Sequence, residues 1–303
     1  MPELVKHTIK LFADDSKLVA SIRNKHDIEI LQSDIDALVE WSNDWRMLFN
    51  NGKCKSMTIT KSGKRNVINY NLSMATITGK RQILQETQEE KDLGVVMSNN
   101  LKFCDQATHA ANKASRALGI LKRTFRTWNK EIFLTLYPTF VRPHLEYVAS
   151  VWSPYKKKDI AILEKIQRRA TKLEPELKRL SYRDRLQVLN LTSLRIRRIR
   201  GDLIQYFKLD KDLNVVNWQL NNSKAPSIST TGPAQSIRGN FHRLKRQPTK
   251  HCDQRENFFI NREVPYWNDL PESLIASITV NQFKSRLDKH IKNNGLTSGT
   301  YYT

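Results

Sequence analysis

The sequence predicts an α+β fold, with a small sheet region at the start of the chain and helices over most of the remainder. Short runs of alternating apolar residues fall within residues 1–100, whereas apolar residues recur at helical spacing from residue 101 onward. The chain has 303 residues, of which 39% are hydrophobic, which is enough for one large or two modest domains with a core. Its net charge of +21 indicates a polyanionic partner.

The first hundred residues predict a hairpin, a helix and several short strands. Apolar and polar residues alternate on both sides of Asp14 and Asp15, which suit the turn of a β-hairpin over residues 7–22. A helix follows, and Asn50-Asn51-Gly52 is predicted to end it. Its apolar residues at helical spacing are Ile28, Leu31, Ile35, Leu38 and Trp45. The strand candidates are residues 56–60, 67–70, 74–77 and 93–97.

The next segment predicts a bundle of helices. An amphipathic helix is expected over residues 110–125, followed by an apolar and aromatic helix over 131–152 that is too apolar to be exposed. Pro138 and Pro143 are predicted to bend or break that second helix. Further helices are expected at residues 160–173, 181–190 and 192–209.

Composition divides the chain into four regions. A stretch rich in Asn, Ser, Thr, Pro and Gly predicts a linker near residues 213–240. An aromatic-anchored module with a final helix is expected after it. The predicted regions are therefore a sheet region at 1–100, a helical bundle at 101–212, the linker at 213–240 and a C-terminal module at 241–303.

The positive charge is concentrated in the middle of the chain. Residues 1–100 hold 14 basic and 13 acidic residues, whereas residues 101–210 hold 24 and 10, a net charge of +14. A basic protein without such a surface would spread its charge, so this concentration predicts one positively charged surface that binds a polyanion.

The remaining composition predicts an intracellular protein of the nucleus or cytoplasm, with no membrane partner. No run approaches the roughly 18 apolar residues of a membrane span, and Asp14 and Asp15 interrupt any signal-peptide apolar region. Cys54, Cys104 and Cys252 lie far apart in the chain and form no Cys-x-x-Cys motif. We therefore expect buried or idle thiols rather than a zinc site.

The adjacent carboxylates Asp14 and Asp15 are the sharpest chemical feature of the sequence. Nucleotidyl transfer by two metal ions needs carboxylates on a rigid element, and a hairpin tip would present both side chains at one height. An isolated Asp-Asp pair is more often a simple turn. Here the flanking strands are apolar, and the helix and strand that follow could complete a catalytic sheet layer.

The segment LFADDSKLVASI resembles the Phe/Tyr-Ala-Asp-Asp motif of reverse transcriptases. Four further segments resemble, in the same order, non-LTR (LINE-type, jockey-like) retrotransposon reverse transcriptases. They begin at WSNDWRMLFNNGKCKSMTIT, KDLGVVMSNNLKFCDQATHA, LYPTFVRPHLEYVASVWSPY and NFFINREVPYWNDLPESLIAS. The resemblance implies a partial palm domain with a primer-grip hairpin, then a thumb-like bundle. It implies RNA template and DNA primer as partners, and a full-length protein of the same element as a further one.

The resemblance also implies roles for individual residues. Asp14 and Asp15 correspond to the catalytic metal ligands, and Phe12 to a position beside the primer terminus. Lys53 corresponds to a lysine near the incoming nucleotide. A loop lysine that only contacts solvent is an equally good interpretation. The remaining primer-grip positions are Lys91, Leu93 and Gly94, and Gly94 also suits an ordinary turn.

The sequence departs from this family at its beginning. A polymerase palm takes a third carboxylate from an upstream strand and is joined to fingers, yet only ten residues precede Leu11 and Glu3 is their single acid. Asp14 and Asp15 could retain one Mg²⁺ but not position two, so the predicted Mg²⁺ site is incomplete. We expect a truncated polymerase, from a shortened element copy or an incomplete gene model, with little independent activity and a marginally stable first hundred residues.

Basic residues on successive predicted helices form the candidate nucleic-acid surface, and any single run could instead be a solvated helix face. The candidate contacts are Lys113, Arg116, Lys122, Arg123, Arg126, Arg168, Arg169, Arg197 and Arg198. Four aromatic residues could stack on bases, although a core position is preferred for Trp152 and Trp267. They are Trp128, Trp152, Tyr155 and Trp267.

Three functional hypotheses follow from these features. The favoured one is a fragment of a reverse transcriptase that keeps the nucleic-acid grip. The second is a non-catalytic nucleic-acid-binding protein derived from a mobile element. A metal-dependent nuclease built on the acidic pair is the weakest, because no third acid or general-base histidine has a suggestive spacing.

Overall fold

A computed structural model describes the chain as two compact units. The first comprises residues 1–92 and 97–101, and the second comprises residues 93–96 and 102–303. The residues described within them are 2–60, 70–76, 78–214, 242, 244, 246 and 248–296. Both helices and short strands are present, so the α+β class is confirmed.

The first unit begins with a 3₁₀ turn at Pro2–Leu4 and the predicted hairpin. Strand β1 (Thr8–Phe12) pairs antiparallel with β2 (Asp15–Val19), and Phe12 lies opposite Asp15. Helix α1 (Lys25–Asp44) follows, and the side chains and backbone N–H groups of Asn24 and Asp27 form a reciprocal cap at its start.

Helix α1 ends earlier than the sequence predicts. Arg46 takes a left-handed conformation with φ 55°, and the Met47 N–H donates to the Ser42 carbonyl at 2.9 Å. This hydrogen bond closes the last turn of the helix, so Asn50-Asn51-Gly52 instead belongs to a separate turn. A local cap, rather than the glycine, stops the helix.

The other strands of the described residues form small two-stranded sheets. Strand β3 (Lys55–Ser56) pairs in parallel with β6 (Gln85–Glu86), while β4 (Ser73–Ala75) pairs antiparallel with β5 (Arg81–Ile83). The chain passes between the two units in a hairpin of β7 (Glu89–Asp92) and β8 (Val95–Ser98).

The predicted strands in this region are longer than the observed ones. The strand expected at 56–60 retains only its first residue, and the one expected at 93–97 begins at Val95 because Leu93 and Gly94 form the turn. Residues 67–69 and 77, part of two other strand predictions, lie outside the described residues.

The core of the first unit is a small cluster around α1. Leu31, Ile35 and Val39 pack with Leu72 and Met74. Apolar burial here comes from one helix face against short strands, which stabilises the unit modestly.

Buried polar groups attach other segments to α1. Asp34 is 3% exposed and accepts hydrogen bonds from the backbone N–H groups of Lys6 and His7, each at 2.9 Å. Burial by itself would raise the pKa of Asp34, but the hydrogen bonds to its carboxylate have the larger effect and lower the pKa. Gln32 bonds the backbone N–H and carbonyl of Ser73 in β4.

The second unit is helical. Its helices are α2 (Cys104–Thr124), α3 (Lys130–Leu136), α4 (Arg142–Glu146), α5 (Lys157–Ala170), α6 (Tyr182–Val188), α7 (Leu194–Asp210), α8 (Asp253–Glu256), α9 (Phe259–Asn268), α10 (Glu272–Ile275) and α11 (Val280–Asn294). A π-helical segment, Tyr137–Val141, joins α3 to α4, and a 3₁₀ turn occupies Pro175–Leu177. Within the ranges described, no helix combines the length and apolar character that crossing a membrane requires.

Pro138 and Pro143 interrupt the central apolar segment, as the sequence predicts. Each proline lies near the start of a new helical segment, where the missing N–H costs least. The segment, predicted to be too apolar to be exposed, is only partly buried, because Phe140 is 53% and Tyr147 is 52% exposed. The buried stripe is narrower, and its members are Phe133, Tyr137, Val141 and Leu145.

Helix α2 packs against α5, α4 and the π-helical segment. Ala107, Ala110 and Ala114 of α2 are buried, and small side chains permit close approach of neighbouring helices. The opposite face of α2 is directed to solvent, as its amphipathic pattern predicts.

Glu164 of α5 connects three helices. It accepts hydrogen bonds from the Tyr182 hydroxyl of α6 and, at 3.1 Å, from the Leu194 N–H at the start of α7. A carboxylate at a helix N-terminus satisfies an otherwise free N–H and interacts favourably with the helix dipole. Burial nevertheless raises the pKa of Glu164.

The C-terminal helices share one core with α7. Phe207 of α7 stacks on Phe283 of α11 with centroids 4.2 Å apart, and Tyr206 meets Trp267 of α9 at 4.7 Å. Trp152 and Trp267 are both fully buried, so the core positions preferred for them are confirmed. Most of the predicted linker, from residue 215 onward, lies outside the described residues.

Candidate nucleic-acid interface

The acidic pair lies at the tip of the first hairpin. Ala13 and Asp14 form the two-residue turn between β1 and β2, and Asp15 opens β2 opposite Phe12. Ala13 has φ 51°, a left-handed conformation that is unfavourable for a residue with a Cβ. Phe12, Asp14 and Asp15 are all exposed. The hairpin prediction is therefore confirmed, and the turn also carries backbone strain.

The donor groups at this tip do not fit a two-metal centre. Asp14 and Asp15 supply two exposed carboxylates. In the part of the chain described, no group of three or more His, Cys, Asp or Glu residues is placed to hold a metal ion. Mg²⁺ retains most of its waters and can bind one or two carboxylates, but clamping two ions needs more ligands. No catalytic step can be built from these two carboxylates alone.

The two candidate lysines of the first unit lie on different elements. Lys53 is exposed in the turn after α1, and Lys91 is exposed in β7. Next to Lys91, Asp92 pairs with Lys17 of β2, which brings the first hairpin close to the end of β7. The lysine contacts predicted from the resemblance remain predictions.

Leu93 and Gly94 form a tight turn that rests on Tyr147. Their φ angles are 45° and 86°, and the Tyr147 hydroxyl donates to the Leu93 carbonyl at 3.1 Å. A Cβ at Gly94 would lie 3.1 Å from the Tyr147 ring, closer than normal packing allows. Glycine is thus required here by conformation and by a close contact. The sequence contains no local signal for this role of Tyr147.

Helix α2 and the loop after it carry a group of available positive charges. Arg116, Lys122, Arg123 and Arg126 are exposed, and Lys113 is half-buried. The ion pairs formed among the described residues involve other basic groups, so these five cations are not neutralised by a carboxylate. Such charges can bind phosphates without first breaking an internal ion pair.

Arg168 and Arg169 of α5 are also exposed but are held in position. The Arg168 guanidinium lies over the Tyr182 ring, 4.2 Å from its centroid. Arg169 donates to the Ser115 hydroxyl of α2 at 3.1 Å. That contact places the Arg169 cation beside α2.

The basic run of α7 is not part of an open surface. Arg198 is 5% exposed, lies over Trp152 and donates to the Leu145 carbonyl at 2.6 Å. Burial lowers the pKa of Arg198 to about 10. The nucleic-acid contact of Arg198 stays a prediction, and its guanidinium is enclosed by protein in this structure.

Arg197 is only partly available. It is 28% exposed and forms a two-point ion pair with Glu146, whose second oxygen is 3.0 Å from Arg197 Nη2. Arg200 is paired in the same way with Asp288 of α11. Most of the charge on α7 thus stabilises contacts between helices.

One exposed aromatic residue was missed by the sequence-based assignment. Phe125 ends α2, between Arg123 and Arg126, and contacts Trp128. The signal was present, since aromatic residues alternate with cations in KRTFRTW. Only the structure shows that Phe125 is on the surface rather than in the core.

Comparison with known proteins indicates a relation to mobile-element reverse transcriptases over part of the chain. The RNA-directed DNA polymerase from mobile element jockey of Drosophila funebris is 28% identical over 148 residues, which are 48% of this chain and 15% of that polymerase. An uncharacterized protein of Caenorhabditis elegans is 30% identical over 121 residues, which are 39% of this chain and 61% of that protein. The matched stretch thus covers a small part of the jockey polymerase. No family model and no solved structure matches the chain.

Proposed function

We propose that this chain derives from the RNA-directed DNA polymerase of a non-LTR retrotransposon and binds an RNA template paired with a DNA primer. The partial similarity to the jockey polymerase supports this origin. The hairpin with Asp14 and Asp15 at its tip is compatible with it. Binding, rather than polymerisation, is the activity that the geometry supports best.

The observation that carries the proposal is the set of unneutralised cations on one face of the second unit. Arg116 and Arg123 lie on α2, and Arg126 follows in the loop, all three exposed. Each cation that meets a phosphate releases condensed counterions, so binding is tight at low salt and weakens steeply as salt rises. This contribution does not depend on the base sequence.

We propose no primer extension by this chain alone. Asp14 and Asp15 would hold at most one Mg²⁺ with its waters, which does not position an attacking oxygen and a leaving phosphate together. The proposed binding is therefore non-catalytic, as in the alternative of a nucleic-acid-binding protein derived from a mobile element. The limited donor set at the hairpin tip favours it.

The test is a binding measurement on the purified full chain. Fluorescence anisotropy with an RNA–DNA primer–template would be recorded from about 50 to 200 mM salt. The double variant Arg116→Glu/Arg123→Glu should weaken binding strongly and reduce the slope of log K against log salt by about two. The matched control, Lys289→Glu/Lys292→Glu on α11, makes the same change in net charge and should have little effect.

Two further results bear on catalysis. Asp14→Asn should leave binding unchanged, because the acidic tip does not supply the cations. Wild-type chain should not extend the primer with Mg²⁺ and nucleotides. Extension that Asp14→Asn abolishes would show a working polymerase, and salt-independent binding would contradict the proposed function.

A further inference from the structure

The segment that follows α2 combines unpaired cations with the exposed Phe125 and the half-buried Trp128. Residues 122–130 read KRTFRTWNK and include no acidic residue. Lys122, Arg123, Arg126 and Lys130 are all exposed, and no carboxylate of the described residues neutralises them.

Phe125 is held rigidly at the centre of this segment. Its N–H donates to the Leu121 carbonyl at 2.9 Å, and its carbonyl accepts from the Trp128 indole Nε1 at 3.0 Å. The two rings meet edge to face with centroids 6.2 Å apart and an interplanar angle of 67°. Trp128 therefore supports the Phe125 ring from one side, while Phe125 remains 36% exposed.

The combination matches the chemistry of an unpaired nucleotide. Every base has an apolar π-face that can stack on an aromatic ring, whereas the flanking phosphates carry the negative charge that Arg123 and Arg126 would meet. A paired duplex presents phosphates but keeps its bases stacked inside. An acidic peptide would satisfy the cations but would leave the Phe125 ring uncovered.

We infer that Phe125, supported by Trp128, is a stacking platform for an unpaired base of a nucleic-acid strand whose phosphates contact Arg123 and Arg126. The inference rests on the proposed function, since it assumes that this face binds nucleic acid. It adds that the bound nucleic acid includes a single-stranded part beside α2. The ring is already positioned before binding, so little side-chain entropy is lost on stacking.

The experiment compares three probes of matched charge by fluorescence anisotropy on the full chain. These are a short single-stranded pyrimidine oligonucleotide, an abasic strand of the same length and a blunt RNA–DNA hybrid. Wild-type protein should bind the base-containing strand about five-fold or more tighter than the abasic strand. Phe125→Leu should remove this preference and leave binding of the abasic strand and the hybrid unchanged.

The control variant is Phe140→Leu, which replaces another exposed phenylalanine of the same unit. It should keep the preference for bases, and thermal unfolding should show that both variants fold. Equal binding of base-containing and abasic strands by wild type would overturn the inference but leave the proposed function intact. Failure to bind any nucleic acid would instead overturn the proposed function.

Discussion

Arg262 and Asp202 form a two-point ion pair between α9 and α7. Arg262 Nε lies 3.0 Å from Asp202 Oδ2, and Arg262 Nη2 lies 3.1 Å from Asp202 Oδ1. The same Nη2 donates to the Ser150 carbonyl at 2.7 Å. One guanidinium thus joins α9 and α7 to the chain that follows α4, at a site where Asp202 is 2% exposed.

Replacing Asp202 should show how much this buried ion pair contributes to the free energy of unfolding. Asp202→Asn removes the two-point partner of the buried Arg262 cation and should lower the free energy of unfolding of the second unit by about 3–5 kcal/mol. Urea unfolding followed by circular dichroism would measure it. Asp288→Asn is the matched control, because that aspartate pairs with Arg200 but is 51% exposed, and it should cost less than about 1 kcal/mol. Equal losses would show that burial adds nothing to the pair.

Glu263 should make the stability of the second unit depend on pH. Burial, and then repulsion by Asp202, raise the pKa of Glu263 well above its ordinary value. The folded chain therefore binds this proton more tightly than the unfolded chain, and stability falls as pH rises above about 4.3, where unfolded glutamates ionise.

Glu263→Gln should remove this contribution of the carboxyl. Its side chain is fully enclosed, so the variant should gain roughly 1–3 kcal/mol at neutral pH and show a flatter dependence of stability on pH. Unfolding measured from pH 4 to about pH 8 would test it. The prediction would be contradicted if the stability of the wild-type chain relative to Glu263→Gln rose with pH instead of falling.

Arg198 and Arg123 should separate stability from binding. Arg198→Ala removes a buried guanidinium that contacts Trp152 and Leu145, and should cost about 2–4 kcal/mol of stability without changing the salt slope of nucleic-acid binding. Arg123→Ala removes an exposed side chain, and should change stability by less than about 0.5 kcal/mol while reducing that slope by about one. If both variants changed stability and the salt slope by the same amounts, the distinction between the buried and the free cations would be refuted.

Gly94 should tolerate no side chain while Tyr147 is present. Gly94→Ala adds backbone strain at φ 86° and a contact 3.1 Å from the Tyr147 ring, with an expected cost of about 2 kcal/mol. The cost should fall in a Tyr147→Leu background, which a double-mutant cycle would measure. Gly295→Ala is the control, since Gly295 has φ 71° but no atom within 4 Å of an added Cβ. Strict additivity of Gly94→Ala and Tyr147→Leu would exclude the contact.

Ala13 should be more stable as glycine. Its φ of 51° is unfavourable for alanine, so Ala13→Gly is expected to stabilise the first unit by about 0.5–1 kcal/mol. Ala20→Gly, at a half-buried position in the small core, should destabilise it by a similar amount. Limited proteolysis and denaturant unfolding would report both changes. Destabilisation by Ala13→Gly would mean that the turn is not strained.

Local sequence patterns predicted the elements whose causes are local. The alternation around Asp14 and Asp15 predicted the hairpin, and Pro138 and Pro143 predicted the interrupted helix, because turn chemistry and a missing N–H act within a few residues. The predicted end of α1 was wrong, because the hydrogen bond from the Met47 N–H to the Ser42 carbonyl closes the helix before Gly52. Strand lengths were overestimated because pairing partners, not propensity, limit a strand.

The sequence by itself determined the amount and approximate location of the positive charge, and the acidic pair at the hairpin tip. Only the tertiary structure decided which cations are free. Arg123 and Arg198 look alike in the sequence, yet one is exposed without a counter-charge and the other lies between Trp152 and a backbone carbonyl. The reason is physical, because the availability of a charge depends on its burial and partners, and those come from helices distant in the chain.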